Sequence, residues 1–129
     1  MVLVDTSVWI RWFRGGTRIK HPSPDEMRDV ATCSPILQEI LQGFKDIPAY
    51  ARIRTNLLAL PTLGDPVDLD LFLEAAEIYR LANRKGYTIR SSTDCLIAAI
   101  AIRHGVAVMH FDRDFDVIAR FTPLAVVRP

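Results

Sequence analysis

Four carboxylate side chains of this sequence stand beside apolar segments, at the places where predicted helices and strands begin or end. They are Asp5, Glu39, Asp94 and Asp112. Burying a carboxylate against a core segment is unfavourable unless its charge is compensated. The penalty falls if the carboxylates converge on a shared divalent cation, because hard cations such as Mg²⁺ prefer oxygen ligands. The chemistry that this pattern indicates is therefore metal binding through oxygen.

The positions of these residues suggest that they meet at one edge of a sheet. Asp5 follows the apolar residues 2–4, and Asp112 follows the mostly apolar residues 106–111. Ligands of open parallel sheets bind outside the carboxyl ends of the strands, where both residues are expected. Asp94 falls in the first turn of a predicted helix, where the helix dipole favours a negative charge.

Glu39 belongs to a helix predicted to start with Ser34 as its N-cap and Pro35 in its first turn. It lies about 60° from Ile36 around that helix, so it borders the apolar face. Four carboxylates brought together repel one another and resist ionisation, and a divalent cation reverses that penalty. The set contains no Cys or His, which favours Mg²⁺ or Mn²⁺ over Zn²⁺.

Length and composition predict one globular domain spanning residues 1–129, since half the residues are hydrophobic and 24% are charged. A net charge of +1 argues against a strongly basic protein held to nucleic acid by phosphate contacts alone. Two cysteines, Cys33 and Cys95, are too few for a disulfide framework. The N-terminus lacks a signal-like segment, and the apolar run 95–102 is too short to cross a bilayer, so we expect a cytoplasmic protein.

The predicted elements alternate between strands and helices. Apolar runs at residues 2–4, 107–109 and 124–127 are predicted strands, and Pro61 restricts any strand near it to a sheet edge. A loop is predicted over residues 15–24. Such an alternation is typical of an α/β fold with a mostly parallel central sheet.

Two predicted helices between these strands have a recognisable start and a predicted buried face. Asp68 caps a long helix whose buried residues we expect to be Phe72, Ala75, Ala76, Tyr79 and Ala82. The helix that follows Ser91 is apolar nearly all round and is therefore expected to be buried on more than one side.

Four segments in order along the chain resemble the successive blocks of a PIN-domain ribonuclease, and the size is similar to that of the VapC toxins of bacterial and archaeal toxin–antitoxin pairs. The segments are Leu3-Val4-Asp5-Thr6-Ser7, residues 35–41 around Glu39, residues 92–99 around Asp94, and residues 112–119. The resemblance implies a three-layer PIN-like fold and a metal-dependent endoribonuclease. It also implies that the four carboxylates hold one or two Mg²⁺ or Mn²⁺ ions, with Asp5, Asp94 and Asp112 as ligands.

The same resemblance implies further roles and partners. Thr6 matches a hydroxyl that often helps in the family's site, and Asp114 and Asp116 are candidate helpers of the ligands. A cognate VapB-type antitoxin, an RNA substrate and a homodimer are expected, and a membrane is not. The aromatic residues Trp9, Trp12 and Phe13 fit an antitoxin groove, the homodimer interface or the core. Phe111 departs from the family pattern, where a small polar residue often precedes the last acidic position.

Alternative interpretations remain open at the level of sequence. Taken singly, Asp94 and Asp112 also fit the ordinary preference for acidic residues at helix N-termini. A non-catalytic, metal-binding α/β interaction module is the alternative to an enzyme. A receiver domain usually has paired acidic residues after its first strand, where this chain has Thr6. A haloacid-dehalogenase-type phosphatase needs a second Asp where this chain has Ser7. Fold alone does not separate these functions.

Overall fold

A computed structural model describes residues 1–15 and 20–129. Residues 16–19 of the predicted loop 15–24 lie outside the described residues. Within the described ranges, five parallel strands form one sheet with the order β3-β2-β1-β4-β5. The strands are β1 (Val2–Val4), β2 (Val30–Cys33), β3 (Thr62–Leu63), β4 (Ala107–Met109) and β5 (Val126–Val127).

Seven helices of the described chain flank this sheet. They are α1 (Thr6–Arg14), α2 (Pro24–Met27), α3 (Ser34–Gln42), α4 (Ile47–Leu58), α5 (Leu69–Arg84), α6 (Ser92–His104) and α7 (Arg113–Ala119). The predicted α/β class is therefore confirmed. None of these helices is both long and apolar enough to cross a membrane.

The order of the strands places the candidate residues. The chain runs from β1 outward through β2 and β3, and then returns to the other side of β1 with β4 and β5. The strand order therefore reverses between β1 and β4, whose residues Val4 and Met109 are paired in register. Ligand sites of open parallel sheets lie at such a reversal, beyond the carboxyl ends of the strands. Asp5 and Asp112 follow the carboxyl ends of β1 and β4 at this point.

The core lies between the sheet and its helices. Leu3 of β1 and Val108 of β4 are fully buried, as are Ile97 and Ile100 of α6 and Phe115 of α7. Burial of each such side chain contributes roughly 1.5–3 kcal/mol to folding. The expectation that α6 is buried on more than one side is confirmed, because every residue from 97 to 101 is buried. The helix that carries Asp94 is thus held rigidly.

The predicted inner face of α5 is confirmed at Ala75 and Ala82 and wrong at Phe72 and Ala76. The helix buries Leu71, Ala75, Ile78 and Ala82, whereas Phe72 is 52% exposed and Ala76 is also exposed. Both stripes of the helix are apolar, so periodicity alone does not choose between them. The choice follows from packing, since α5 lies against α6 and buries Leu71 completely. Phe72 is left on the surface.

Two helix or strand ends also differ from the prediction. Cys33 rather than Ser34 is the N-cap of α3, and within the described chain it forms no side-chain cap hydrogen bond. Ser34 is the first helical residue, because β2 continues directly into α3 with no intervening loop. The last strand is shorter than residues 124–127 and contains only Val126 and Val127.

Candidate metal centre

Asp5 is buried at the end of β1 and begins α1. Its Oδ2 accepts hydrogen bonds from the Ser7 backbone N–H at 3.0 Å and from the Ser7 hydroxyl at 2.6 Å. These bonds make Asp5 the N-cap of α1. Asp5 therefore has a structural role in addition to any chemical one, which its position after a strand did not indicate.

Ser7 also joins the two central strands. Its Oγ accepts the backbone N–H of Phe111 at 3.0 Å while it donates to Asp5. One hydroxyl thus fixes the Asp5 side chain relative to the segment that leads to Asp112. Sequence reasoning did not identify this residue as part of the site, although the Asp-Thr-Ser block contained it.

Asp112 begins α7 in the same way that Asp5 begins α1. Its Oδ1 accepts the Asp114 backbone N–H at 2.9 Å. The carboxylate of Asp114 accepts the backbone N–H groups of Arg90 and Ser91, with a shortest distance of 3.0 Å to each. Asp114 therefore connects the start of α7 to the start of α6, where Asp94 lies.

The structure brings three carboxylates into direct proximity at this junction. Asp94, Asp112 and Asp114 each offer one oxygen, and these oxygens all lie within 4.8 Å of one another. Asp94 and Asp114 are buried, and Asp112 is half-buried. The sequence analysis expected Asp114 only to assist the ligands, but one of its oxygens lies within the cluster itself.

The pKa values indicate that Asp5 and Glu39 belong to the same electrostatic environment. Burial raises the pKa of Asp94 to about 9, and the charges of Asp112 and Asp5 add to this effect. Burial also raises the pKa of Asp5, with a further contribution from Asp112. The pKa of Glu39 is raised by burial and by the charges of Asp5 and Asp112. Ionising the whole set without a cation is unfavourable.

Two buried oxygens of the candidate carboxylates fit a cation. Among the described residues, Glu39 Oε1 and Asp94 Oδ2 find no hydrogen-bond partner. An unpaired buried oxygen is unfavourable, and a divalent ion satisfies it without a donor hydrogen. Burial raises the pKa of the neighbouring Cys33 and Cys95 thiols to about 12, so neither supplies a thiolate at neutral pH. The donor set therefore suits a hard, oxygen-preferring ion.

Several other candidate residues have different surroundings. Asp116 is paired with Arg128 and faces His110 rather than joining the three clustered oxygens. Thr6 is buried, and its hydroxyl has no partner in the described chain. Arg80, a basic residue of α5 and a candidate contact for RNA phosphates, is exposed and paired with Glu77 at 2.7 Å.

The residue before Asp112 is Phe111 instead of the small polar residue of the family pattern, and its ring is covered by an arginine side chain. Phe111 is half-buried, and the Arg11 guanidinium lies 3.8 Å from the centroid of its ring. A guanidinium over an aromatic face is a favourable arrangement. Phe111, which replaces the small polar residue of the family pattern, thus holds Arg11 near the acidic residues.

The aromatic residues of α1 divide between core and surface. Trp9 and Trp12 are buried, with ring centroids 5.1 Å apart, whereas Phe13 is 39% exposed. Phe13 stacks on Trp9 and contacts Phe44 edge-on. Of the three, only Phe13 offers substantial surface to a partner.

Comparison with known proteins agrees with this arrangement. The PIN domain family model matches residues 2–121. Ribonuclease VapC11 of Mycobacterium tuberculosis is 43% identical, and the match covers 96% of each chain. The chain therefore belongs to the PIN-domain family, and within it to the VapC ribonucleases.

Solved structures show the same fold at lower sequence identity. The VapBC-5 toxin–antitoxin structure from Mycobacterium tuberculosis has a chain that is 24% identical, with a TM-score of 0.67 over 98% of this chain and 97% of that one. A chain of VapBC-1 from nontypeable Haemophilus influenzae gives a TM-score of 0.72 at 15% identity, covering 98% and 96% of the two chains. The PIN-like fold expected from the sequence is confirmed.

The raised pKa of Asp94 predicts how the stability of the metal-free protein changes with pH. Between the ordinary value of 3.8 and about 9, the folded state keeps a proton that the unfolded state has lost. The free energy of unfolding therefore decreases as pH rises through this window. Asp94→Asn should remove much of this decrease, and each pH unit is worth up to about 1.4 kcal/mol.

Urea denaturation in EDTA at a series of pH values measures this slope. Asp70→Asn, which changes an exposed acid in the first turn of α5, is the matched control and should keep the wild-type slope. Equal slopes for the wild type and Asp94→Asn would show that Asp94 is not held in its protonated form.

Proposed function

We propose that this chain is a Mg²⁺- or Mn²⁺-dependent endoribonuclease, with Asp5, Asp94 and Asp112 as metal ligands and Glu39 as a further catalytic carboxylate. The observation that carries the proposal is the environment of the Asp94 side chain. It is buried, and one of its oxygens has no hydrogen-bond partner among the described residues. It also belongs to the cluster in which oxygens of Asp94, Asp112 and Asp114 lie within 4.8 Å of one another. Family membership with the VapC ribonucleases supports RNA as the substrate. We further propose that residues 1–129 act as one domain in the cytoplasm, where such a substrate is found.

The carboxylates contribute in different ways in this proposal. Asp5 and Asp112 are fixed by the N-cap hydrogen bonds of α1 and α7, so each presents its remaining oxygen in a defined direction. Asp94 is fixed by the rigid helix α6. Holding three ligands in place before the ion arrives reduces the reorganisation required on binding.

Glu39 is suited to handling a proton beside the ligands. It is half-buried on the flank of α3, and its pKa is raised by burial and by two neighbouring carboxylates. A carboxylate with a raised pKa accepts a proton more readily from an attacking water molecule. A bound divalent ion supplies an activated water and neutralises charge on the phosphate. No protein nucleophile is needed.

Arg11 is a candidate contact for the RNA backbone. An acidic centre repels a polyanion, so a nearby cation assists the approach of the substrate. Arg11 stands over Phe111, which directly precedes Asp112. Arginine is well suited to phosphate oxygens because its donors form a planar fork. Arg80 is less suitable, since its charge is already paired with Glu77.

We propose that a VapB-type antitoxin neutralises the enzyme through the surface between α1 and α4. Solved structures with a similar fold come from VapBC toxin–antitoxin systems, which supports such a partner. A depression of about 170 Å³ lies here, lined by Trp9, Phe13, Met27, Ile53, Asn56, Leu57 and Leu60. Its lining is mostly apolar, which suits the apolar face of a partner helix. Phe13 forms the exposed edge of this depression, whereas Trp12 is buried in the core and does not line it.

The exposed face of α5 supports the proposal of a homodimer. Leu69, Phe72 and Leu73 are 71%, 52% and 56% exposed. Large apolar side chains clustered on a surface often mark an interface. A groove of about 440 Å³ continues this face past Ala76 to Ser92 and Thr93, just before Asp94. A second copy seated here would lie beside the acidic centre.

The catalytic proposal is tested by Asp94→Asn, with Asp70→Asn as the control. Loss of one ligand should reduce Mg²⁺-dependent cleavage of an RNA pool by at least about 100-fold, because the activated water depends on the ion. The variant should remain folded by circular dichroism, since the amide is uncharged, like the protonated carboxyl group that it replaces. Cleavage by Asp94→Asn at the control rate, or cleavage that persists in EDTA, would contradict the proposal.

The dimer proposal is tested by Leu73→Glu, with Leu58→Glu as the control because Leu58 on α4 is similarly exposed, at 51%. Light scattering should give about twice the 14.6 kDa chain mass for the wild type and the control. Leu73→Glu should give a single chain, because a charge buried in an apolar interface is unfavourable. A dimeric Leu73→Glu protein would place the interface elsewhere.

A further inference from the structure

His110 is a buried histidine that makes a specific contact with the backbone of the candidate ligand Asp112. Its side chain is 0% exposed, directly after β4. Its Nδ1 accepts the backbone N–H of Asp112 at 3.0 Å. The ring packs 5.1 Å from the ring of Phe115. A polar ring that is buried completely and uses a nitrogen to hold the backbone two residues away is unusual for a mere core residue.

The backbone around Asp112 depends on side chains because the strand has ended. The N–H of His110 still donates across the sheet, to the Val127 carbonyl at 3.2 Å. The next N–H, of Phe111, donates to the Ser7 hydroxyl, and the one after it donates to His110 Nδ1. Buried backbone donors need such acceptors. Two side chains therefore replace the sheet in shaping the turn that carries Asp112.

A neutral imidazole that accepts at Nδ1 carries its proton on Nε2, which forms no hydrogen bond among the described residues. His110 Nε2 lies 3.4 Å from an oxygen of Asp116, and Asp116 is paired with Arg128. Arg128 also donates to the His110 carbonyl at 3.2 Å. An Nε2 proton facing a carboxylate leaves the Nδ1 lone pair free to accept from Asp112.

We infer that His110 is a positioning residue, whose Nδ1 holds the Asp112 backbone so that the Asp112 carboxylate faces Asp94. This inference rests on the proposed function, in which the acidic centre binds a divalent ion. It predicts that the hydrogen bond at Nδ1, rather than the bulk of the ring, sets the affinity for the ion. Groups that orient metal ligands typically change the affinity by about 10–100-fold when removed.

Two substitutions of His110 separate these contributions. His110→Asn places an amide oxygen near the position of Nδ1 and keeps an acceptor, whereas His110→Leu keeps an apolar side chain and removes the acceptor. Both lose ring packing against Phe115. Calorimetric titration with Mn²⁺ alone should show affinity reduced at least about 10-fold for His110→Leu and by less than about 3-fold for His110→Asn. Urea denaturation in EDTA measures the loss of stability that the two variants share.

A reference variant distinguishes failure of this inference from failure of the proposed function. Asp112→Asn removes the proposed ligand itself and should bind Mn²⁺ most weakly. If Asp112→Asn binds like the wild type, the proposed metal site is wrong. If Asp112→Asn is weakened while both His110 variants bind alike, the metal site stands and the positioning role of His110 is overturned.

A measurement on the wild-type protein tests the contact without relying on a variant that folds. In uniformly ¹⁵N-labelled, metal-free protein, an N–H···N hydrogen bond gives a scalar coupling between the Asp112 amide nitrogen and His110 Nδ1. The Asp112 amide should also exchange slowly with solvent, since its donor is occupied. Absence of the coupling together with fast exchange would overturn the inference.

Discussion

Burial of carboxylates at the point where the strand order reverses, reinforced by their mutual repulsion, is the constraint on which the rest of this structure depends. Asp94, Asp112 and Asp114 present oxygens within 4.8 Å of one another, and Asp5 and Glu39 lie in the same field. Like charges at such distances separate unless the fold holds them. Much of the surrounding hydrogen bonding serves to hold them, so the stability of the fold is used to maintain an arrangement that is unfavourable without a cation.

Hydrogen bonds to helix N-termini and strand ends fix the carboxylate side chains at several places around the site. Asp5 and Asp112 each cap the helix that follows them, and the charge of Asp112 contributes to the raised pKa of Asp5. Ser7 links the ends of β1 and β4, while Asp114 links the starts of α6 and α7 through backbone N–H groups. Capping is compatible with the ligation proposed for these residues, because a carboxylate has two oxygens and the cap hydrogen bond occupies only one of them.

The α/β class, most of the elements and the four candidate carboxylates could be predicted from the sequence, because a carboxylate directly beside an apolar segment is costly to bury unless it has a function. The family resemblance made Asp114 a candidate helper of the ligands, but the sequence did not place its oxygen within the cluster, because that position depends on contacts with residues 90–91, which are distant along the chain. The inner face of α5 was predicted only in part, at Ala75 and Ala82, because two apolar stripes compete and packing on α6 decides between them. The aromatic residues of α1 were likewise ambiguous, since only the fold determines that Trp9 and Trp12 are buried.

The central claim is that this carboxylate cluster is a divalent-cation site. Anomalous diffraction at the manganese edge, from crystals grown with Mn²⁺, tests it most directly. We predict a manganese peak in contact with carboxylate oxygens of Asp94 and Asp112, adjacent to Asp5. A structure saturated with Mn²⁺ that shows no peak at the cluster, or that shows bound ions only elsewhere, would contradict the claim.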